Sequence, residues 1–549
     1  MSPAAPPSPE RLAEILGMPL PTPEQARIIA HPLAPLLVVA GAGSGKTATM
    51  SQRVVHLVAG GQVRPDQILG LTFTRKATAE LEQRVRTRLA QLAVSGLPGL
   101  PELDEEAGPT ISTYNAFAGS LVRDHGLRLG IDPDSTLITE ARAWQIATRI
   151  VTERTEPLPL DKPGAAATAL LALDGALNEN LLSVADAAEQ LGDLAALMEG
   201  IGSVRGCKTL VRGVPEALTT RLGMLEAVAA YRDYKLRHSL LDFGDQIALG
   251  CRIAEEVPDV AQSLRTQYPA VLLDEFQDTS VAQIRLLAAL FSDSGVTAVG
   301  DPNQAIYGWR GASAGALDTF HEYFNPGAGT DGVDERAPVL PLSTAWRNDR
   351  AILRAANVTS SPLRHHAPQP GDAAVAHIPV DELHERPEAA GLAEGVVVGA
   401  FVQDPLAEAR TIADFMEERW SPQAEMAVLC RTRAQLLPIA DALDDLGVPY
   451  EIIGLGGMLS VPEVADVRAA LTVAADPERG DRLLRLLTGA GIGAADLRAL
   501  AALARAQVRS AREQTGDGRD QAEREQPDAP LLSEAIETLA RWEETGRLP

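Results

Sequence analysis

Leu36-Leu-Val-Val-Ala-Gly-Ala-Gly-Ser-Gly-Lys-Thr47 decides the reading of this chain. Leu36 to Val39 is an apolar run short enough for a buried strand. Ala40, Gly41, Ala42, Gly43, Ser44 and Gly45 form a loop of small residues, followed by Lys46 and Thr47. This is a P-loop with Ala40 where the usual pattern has its first glycine. Small residues are needed because backbone N–H groups must close around phosphate oxygens, and larger side chains would block them. Lys46 is expected to reach the β- and γ-phosphates of a nucleotide. The Thr47 hydroxyl is expected to bind Mg²⁺, and the following helix to aim its positive end at the phosphates.

Working outward, Pro21-Thr-Pro-Glu-Gln-Ala26 begins a helix, with Thr22 as its cap. Gln25 has two readings there: partner in the capping box, or an amide that reads adenine with a paired donor and acceptor. Ile68-Leu-Gly-Leu-Thr-Phe-Thr74 reads as a second strand, leading into a helix from Arg75. Phe73, Arg75 and Lys76 fall at its C-terminal end, the ligand-binding edge of a parallel sheet. An aromatic and two cations suit single-stranded nucleic acid; a core Phe73 with solvated charges is the plainer alternative. Thr110 to Phe117 reads as another strand with its edge loop, and Tyr114 in it is a candidate DNA contact.

Ala270-Val-Leu-Leu-Asp-Glu-Phe-Gln-Asp278 delivers carboxylates to the same edge. Asp274 is expected to hold Mg²⁺, and Glu275 to act as the base that activates water. Val296 to Gly311 reads as a strand followed by a polar, aromatic loop. In that loop Gln304 is placed to contact a γ-phosphate, and Tyr307, Trp309 and Arg310 can stack on bases.

The 549-residue chain carries 49 basic and 74 acidic residues, a formal charge of −25. Such acidity argues against a nucleic-acid-coated surface, although a translocating groove needs only a local basic and aromatic track. Three distant cysteines with no Cys-x-x-Cys pair argue against a disulfide framework or a zinc ribbon and fit a reducing compartment. The Pro/Ala-rich start lacks the features of a signal peptide, and no apolar run approaches membrane-spanning length. The expectation is a cytoplasmic protein with no membrane partner.

Taken with their order and spacing, Ala40 to Thr47, Leu71-Thr-Phe-Thr-Arg-Lys-Ala77, Leu273-Asp-Glu-Phe-Gln-Asp278 and Val299 to Ala312 resemble a superfamily 1A DNA helicase of the UvrD/Rep/PcrA type. The resemblance implies an α/β fold of RecA-like P-loop NTPase motor domains, with parallel sheets and inserted helical subdomains. It implies ATP and Mg²⁺ as cofactors and 3′-to-5′ movement on single-stranded or partly duplex DNA, in repair or recombination. Gln25 resembles the family's adenine-reading glutamine. Phe73 and Trp309 resemble residues that stack on DNA, and Gln304 the residue coupling the γ-phosphate to the DNA track.

Leu340 to Arg347 resembles a further family motif. Arg347 would be an arginine finger across the cleft, and Trp346 would stack on adenine where Tyr is usual. By itself Arg347 reads as a surface arginine at a helix entry. The implied organisation is a flexible leader at 1–20 and a first RecA-like domain at 21–125 and 237–324. A helical insertion fills 126–236, where Trp144 reads as core. A linker at 325–337 leads to a partial second RecA-like domain at 338–460, with strands at 427–433 and 448–454. A second helical insertion begins at 461–549.

The sequence departs from the family pattern at Ala48, where an arginine usually stacks on adenine, and at Asn115, where histidine is usual. Ala48 is expected to leave nucleotide selectivity loose, with Trp346 carrying more of the adenine contact, and Asn115 to change coupling through its loop. The chain stops within the second insertion and reads as the N-terminal part of a longer helicase. The Ala-rich first insertion resembles AdnAB-type helicase–nuclease subunits, which implies a partner subunit. Two other classes are open. One is an ATP- and DNA-binding module with little turnover of its own. The other is a small-molecule P-loop kinase, which gives no role to residues 304–309.

Overall fold

The computed structural model describes residues 7–97, 108–204, 207–209, 211–292, 294–308, 311–313, 315–325, 337–364, 378, 380–453, 462–475, 479–515 and 536. The chain divides into two compact units, Met1–Val397 and Val398–Pro549.

The first unit is built on a six-stranded parallel sheet. Its strands are β1 (Leu36–Ala40), β2 (Ile68–Thr72), β3 (Thr110–Thr113), β6 (Ala270–Leu273), β7 (Gly295–Gly300) and β8 (Val339–Leu342), in the order β3-β2-β6-β7-β1-β8. Two short strands, β4 (Thr136–Leu137) and β5 (Leu240–Leu241), pair with each other elsewhere. Alternation along each strand explains why the apolar runs are continuous. Leu37 and Val39 join one core cluster, together with Leu69, Leu71, Val271 and Leu273. Leu36, Val38 and Ala40 join the cluster on the opposite face, with Ile68, Ala270 and Leu272. A parallel sheet covered on both faces needs apolar residues at every position.

Helices α1 (Pro9–Ile15), α2 (Pro23–Ile29), α3 (Lys46–Ala59) and α4 (Arg75–Ala93) precede β3, and α5 (Tyr114–His125) follows it. Helix α1 corrects the expected flexible leader over its described part, residues 7–20; residues 1–6 lie outside the described residues. Ser8 caps it, and Leu12 and Ala13 are fully buried with Leu16 and Met18 in the core that holds Val38. Helical spacing puts Leu12 and Leu16 on one face, and that face found the sheet.

Four helices, α6 (Glu140–Glu153), α7 (Pro163–Glu179), α8 (Val184–Ser203) and α9 (Val214–Arg237), share a core of their own around Ile146, Leu170, Leu177, Met224 and Tyr231. Trp144 is not in that core: it is 45% exposed on α6. The buried stripe of α6 runs through Ala143, Ile146 and Ala147, which turns Trp144 outward. After β5, the chain returns to the sheet through α10 (Phe243–Glu256), α11 (Pro258–Gln267) and, beyond β6, α12 (Val281–Phe291). Asp242 caps α10 in a capping box with Asp245.

Lys235 on α9 joins these elements from a buried position. Its Nζ donates to Asp174 on α7, to Asp242 and to Asp245. Burial alone would lower the Lys235 pKa, but the three carboxylates more than reverse this and raise it. The cluster fixes the four-helix subdomain to α10.

The expected start of a second motor domain at 338 does not coincide with a break in the chain. Strand β8 is the edge strand of the first sheet, with Leu37 opposite Val339 and Ala40 opposite Leu342. The chain runs on through β9 (Thr344–Ala345), α13 having preceded β8 at Phe320–Phe324, and α14 (Arg350–Arg364) to β10 (His384–Glu385), which pairs with β9. These elements all belong to the first unit. From Val398 onward there are helices but no strand among the described residues. The segments expected as strands at 427–433 and, over its described residues, 448–453 are therefore corrected; Gly454 lies outside the described residues. An extended run becomes a strand only when its backbone groups find a ladder partner. Leu429 and Ile453 are left exposed. Residues 326–336, within the expected linker, lie outside the described residues.

Candidate nucleotide and nucleic-acid site

The P-loop joins β1 to α3, and its two left-handed residues are glycines, Gly43 at φ +74° and Gly45 at φ +84°. Only glycine takes that region without strain. Close approach adds a second demand. A Cβ on Gly43 would lie 3.1 Å from Cβ of Arg347, and one on Gly45 would lie 3.3 Å from Nε2 of Gln25 and 3.6 Å from Cδ1 of Trp346. Gly41 is packed against Leu383. Ser44 is buried, and its Oγ has no hydrogen-bond partner. An orphaned hydroxyl inside a loop of small residues fits a phosphate oxygen.

Lys46 opens α3. Its Nζ donates to Oε2 of Glu275 at 2.7 Å. Glu275 follows β6 in a left-handed conformation, φ +51° and ψ +44°. A non-glycine residue held there carries strain that clusters at functional sites. Asp274 is buried beside it, and burial and the Glu275 charge push its carboxyl up to about 6. Asp278 is likewise pushed up to about 6 by burial and then by Glu275, and burial raises Asp301. Lys46 opposes each of these shifts. Four carboxylates against one ammonium leave excess negative charge at this edge. That all-oxygen environment fits a hard divalent cation such as Mg²⁺, which Thr47 and Asp274 would hold.

Gln277 is a residue the sequence reading passed over. Its Nε2 donates to Glu275 at 2.8 Å, and its Oε1 accepts from the backbone N–H of Asp301 at 3.0 Å. Gln304 donates from Nε2 to Asp301 at 2.5 Å. A hydrogen-bonded chain thus runs from Gln304 through Asp301 and Gln277 to Glu275. Gln304 is exposed at the far end of this chain and reaches Glu275 through these groups. Gly300 makes room for the chain, because a Cβ there would lie 2.8 Å from Oε1 of Gln277 and 2.9 Å from Leu317. Gly300→Ala is expected to cost about 1–3 kcal/mol through overpacking. Denaturant unfolding checks this, and an unchanged midpoint would refute the packing argument.

Gln25 fulfils the capping-box reading. Its Oε1 accepts from the Thr22 N–H at 3.0 Å while Thr22 Oγ1 accepts from the Gln25 N–H. That bond turns Oε1 toward Thr22 and leaves Nε2 facing the P-loop, so the cap and a contact to a base are compatible. Trp346 lies against Gly45, its N–H donating to the Gly43 carbonyl at 2.9 Å, and its buried Nε1 has no partner. Arg347 is exposed beside Gly43. The segment carrying both follows β8, so Arg347 approaches from the edge of the same sheet. Ala48 offers no side chain for stacking.

On the expected DNA track, Phe73 and Tyr307 meet with ring centroids 4.8 Å apart and planes tilted by 30°. They come from the ends of β2 and β7, on either side of β6. Arg75 is exposed at the start of α4. Tyr114 is corrected: it is 4% exposed, and its hydroxyl donates to the Asp274 carbonyl at 3.0 Å. Helix α5 begins at Tyr114 itself, which turns the ring into the core rather than toward a ligand. Trp309 and Arg310 lie outside the described residues.

A P-loop between β1 and α3 of a parallel sheet, with Asp274 and Glu275 at the end of β6, one strand removed from β1, defines an α/β P-loop nucleotide site. Residues 21–325 match the UvrD/REP helicase N-terminal domain. The chain is 25% identical over 491 residues to the ATP-dependent DNA helicase PcrA of Leuconostoc citreum, covering 88% of this chain and 56% of that protein. It is 26% identical over 501 residues to the ATP-dependent DNA helicase UvrD1 of Mycobacterium tuberculosis strain H37Rv, covering 88% and 56%. DNA helicase II of Rickettsia typhi is 26% identical over 491 residues, covering 86% and 63%. The chain therefore belongs to the UvrD/REP helicase family, of the superfamily 1A type, and has its RecA-like α/β fold. It spans a little over half the length of the first two of these relatives.

Proposed function

We propose that the protein is an ATP-dependent DNA helicase or translocase that couples hydrolysis to 3′-to-5′ movement on single-stranded or partly duplex DNA, in repair or recombination. The Lys46–Glu275 pair, at 2.7 Å between P-loop and β6 end, is the observation that carries this reading. Lys46 meets the phosphates, and Thr47 and Asp274 would hold Mg²⁺, which would supply further neutralising charge there. When Lys46 turns from Glu275 to a phosphate oxygen, Glu275 is free to take a proton from water. Arg347, beside the P-loop, stabilises charge on the transferred phosphoryl group. Trp346 and Gln25 hold the adenine, and Phe73, Tyr307, Arg75 and Trp309 contact DNA. The helicase relatives support this assignment by what their names say of them. No helix among the described residues is long and apolar enough to cross a membrane. A helicase–nuclease partner subunit is part of the proposal.

A second reading is a nucleotide- and DNA-binding module with little turnover by itself. ATP hydrolysis by this chain, with and without single-stranded DNA, separates the two. The motor reading expects DNA to raise turnover at least tenfold. Binding of both ligands with no DNA-dependent turnover would favour the module.

A further inference from the structure

Arg53 is fully buried on α3, two turns beyond Lys46, and no carboxylate is among its hydrogen-bond partners. Its Nε donates to Thr297 Oγ1 on β7 at 3.0 Å. Its Nη1 donates to the carbonyls of Ile28 at 2.9 Å, Ile29 at 3.4 Å and His31 at 2.7 Å, and its Nη2 to that of Pro32 at 3.0 Å. A buried cation is tolerated when its donors are met, and here each of the three guanidinium nitrogens donates to at least one neutral oxygen. Burial pulls its pKa down to about 10, leaving it charged.

Four of those five acceptors are carbonyls at and just beyond the C-terminal end of α2, the helix that carries Gln25. Helix ends leave carbonyls without intrahelical partners, and a planar guanidinium fork can gather several at once. Gln25 lies one turn back from Ile28 and Ile29, about 5 Å along the axis. All three are on the buried face of α2. The other end of α2 is also tied. Glu24 accepts from the N–H of Ser343 at 2.9 Å and from its hydroxyl at 2.6 Å, in the segment leading to Trp346. Helix α2 is therefore held between the P-loop helix and the segment that bears Trp346, and Arg53 is its grip on the former.

We propose that Arg53 is a positioning residue for the nucleotide base: by clamping the end of α2 to α3 and β7, it fixes the Gln25 amide over Gly45. The inference rests on Gln25 reading the base. Arg53 touches no ligand and acts through the register of α2 against the P-loop. An amide that reads adenine donates to N7 and accepts from the N6 amino group, so a shift of α2 weakens the N7 bond.

Equilibrium competition of ATP and 7-deaza-ATP against a fluorescent mant-ADP isolates that bond, because 7-deaza-ATP lacks the acceptor. The native chain is expected to bind ATP about tenfold more tightly than 7-deaza-ATP, and Gln25→Ala to bring the ratio near one. Arg53→Lys keeps the charge but not the fork, and is expected to reduce the ratio to about threefold or less while 7-deaza-ATP affinity changes less than about twofold. Thr297→Val, which removes one acceptor in a near-isosteric change, is expected to shift the ratio in the same direction. It decides the matter if Arg53→Lys does not fold. A lowered melting temperature in either folded variant, with the native ratio intact, overturns the inference and leaves Gln25 as the base reader. A native ratio near one that Gln25→Ala does not alter overturns base reading by Gln25, and the positioning role with it.

Discussion

Glu275→Gln is expected to lower the turnover number for ATP by about 10²–10⁴ while leaving nucleotide affinity within about threefold. The substitution preserves shape and the contacts that hold the loop. The replacement amide can still accept from Lys46 and from Gln277, now at 2.7 and 2.8 Å from the carboxylate. What it loses is the ability to take a proton from water. The left-handed backbone at Glu275 also remains, because glutamine meets the same steric terms there. Loss of turnover with retained binding is thus a chemical effect rather than a folding one. Steady-state hydrolysis beside mant-ATP titration checks it, and a variant retaining a tenth of native turnover would remove Glu275 from the role of base.

Lys46→Ala is expected to reduce turnover by about 10²–10³ and, unlike Glu275→Gln, to weaken ATP binding as well. Its ammonium is the cation opposing the raised pKa values of Asp274, Asp278 and Asp301. Without it, four carboxylates crowd one sheet edge and repel an incoming triphosphate. The defect should therefore appear in affinity and in turnover, and rising Mg²⁺ should recover part of the affinity. Binding measured across a magnesium series distinguishes the two variants. Native affinity in Lys46→Ala would mean that backbone N–H groups hold the phosphates without it. Its pairing with Glu275 would then be structural.

The two variants also separate the jobs of a site that the sequence displayed as one list. Lys46, Thr47, Asp274 and Glu275 were legible because their chemistry is set by covalent order. A strand must end where its apolar run ends, and the next residues are delivered to the edge of the sheet. Gln277 was not legible as a link. Its partners, Glu275 and the backbone of Asp301, meet only when β6 and β7 lie side by side. Tyr114 shows the opposite failure. An aromatic at a strand edge looks like a ligand contact until the helix starting on that same residue turns it inward.

The sequence by itself determined the parallel α/β sheet around β1, the P-loop, the carboxylate pair after β6 and the capping box that sets Gln25. Each of these depends on residues within a few positions of one another, where propensity, turn sterics and apolar period act directly. Tertiary structure alone decided that β8 closes the first sheet beside β1, that α1 is part of the core, and that Trp144 faces outward. It alone also placed the buried Arg53 among carbonyls more than twenty residues away and a hydroxyl 244 residues away. These outcomes depend on which surfaces and unpaired backbone groups meet after the chain collapses, and no local pattern records the partner.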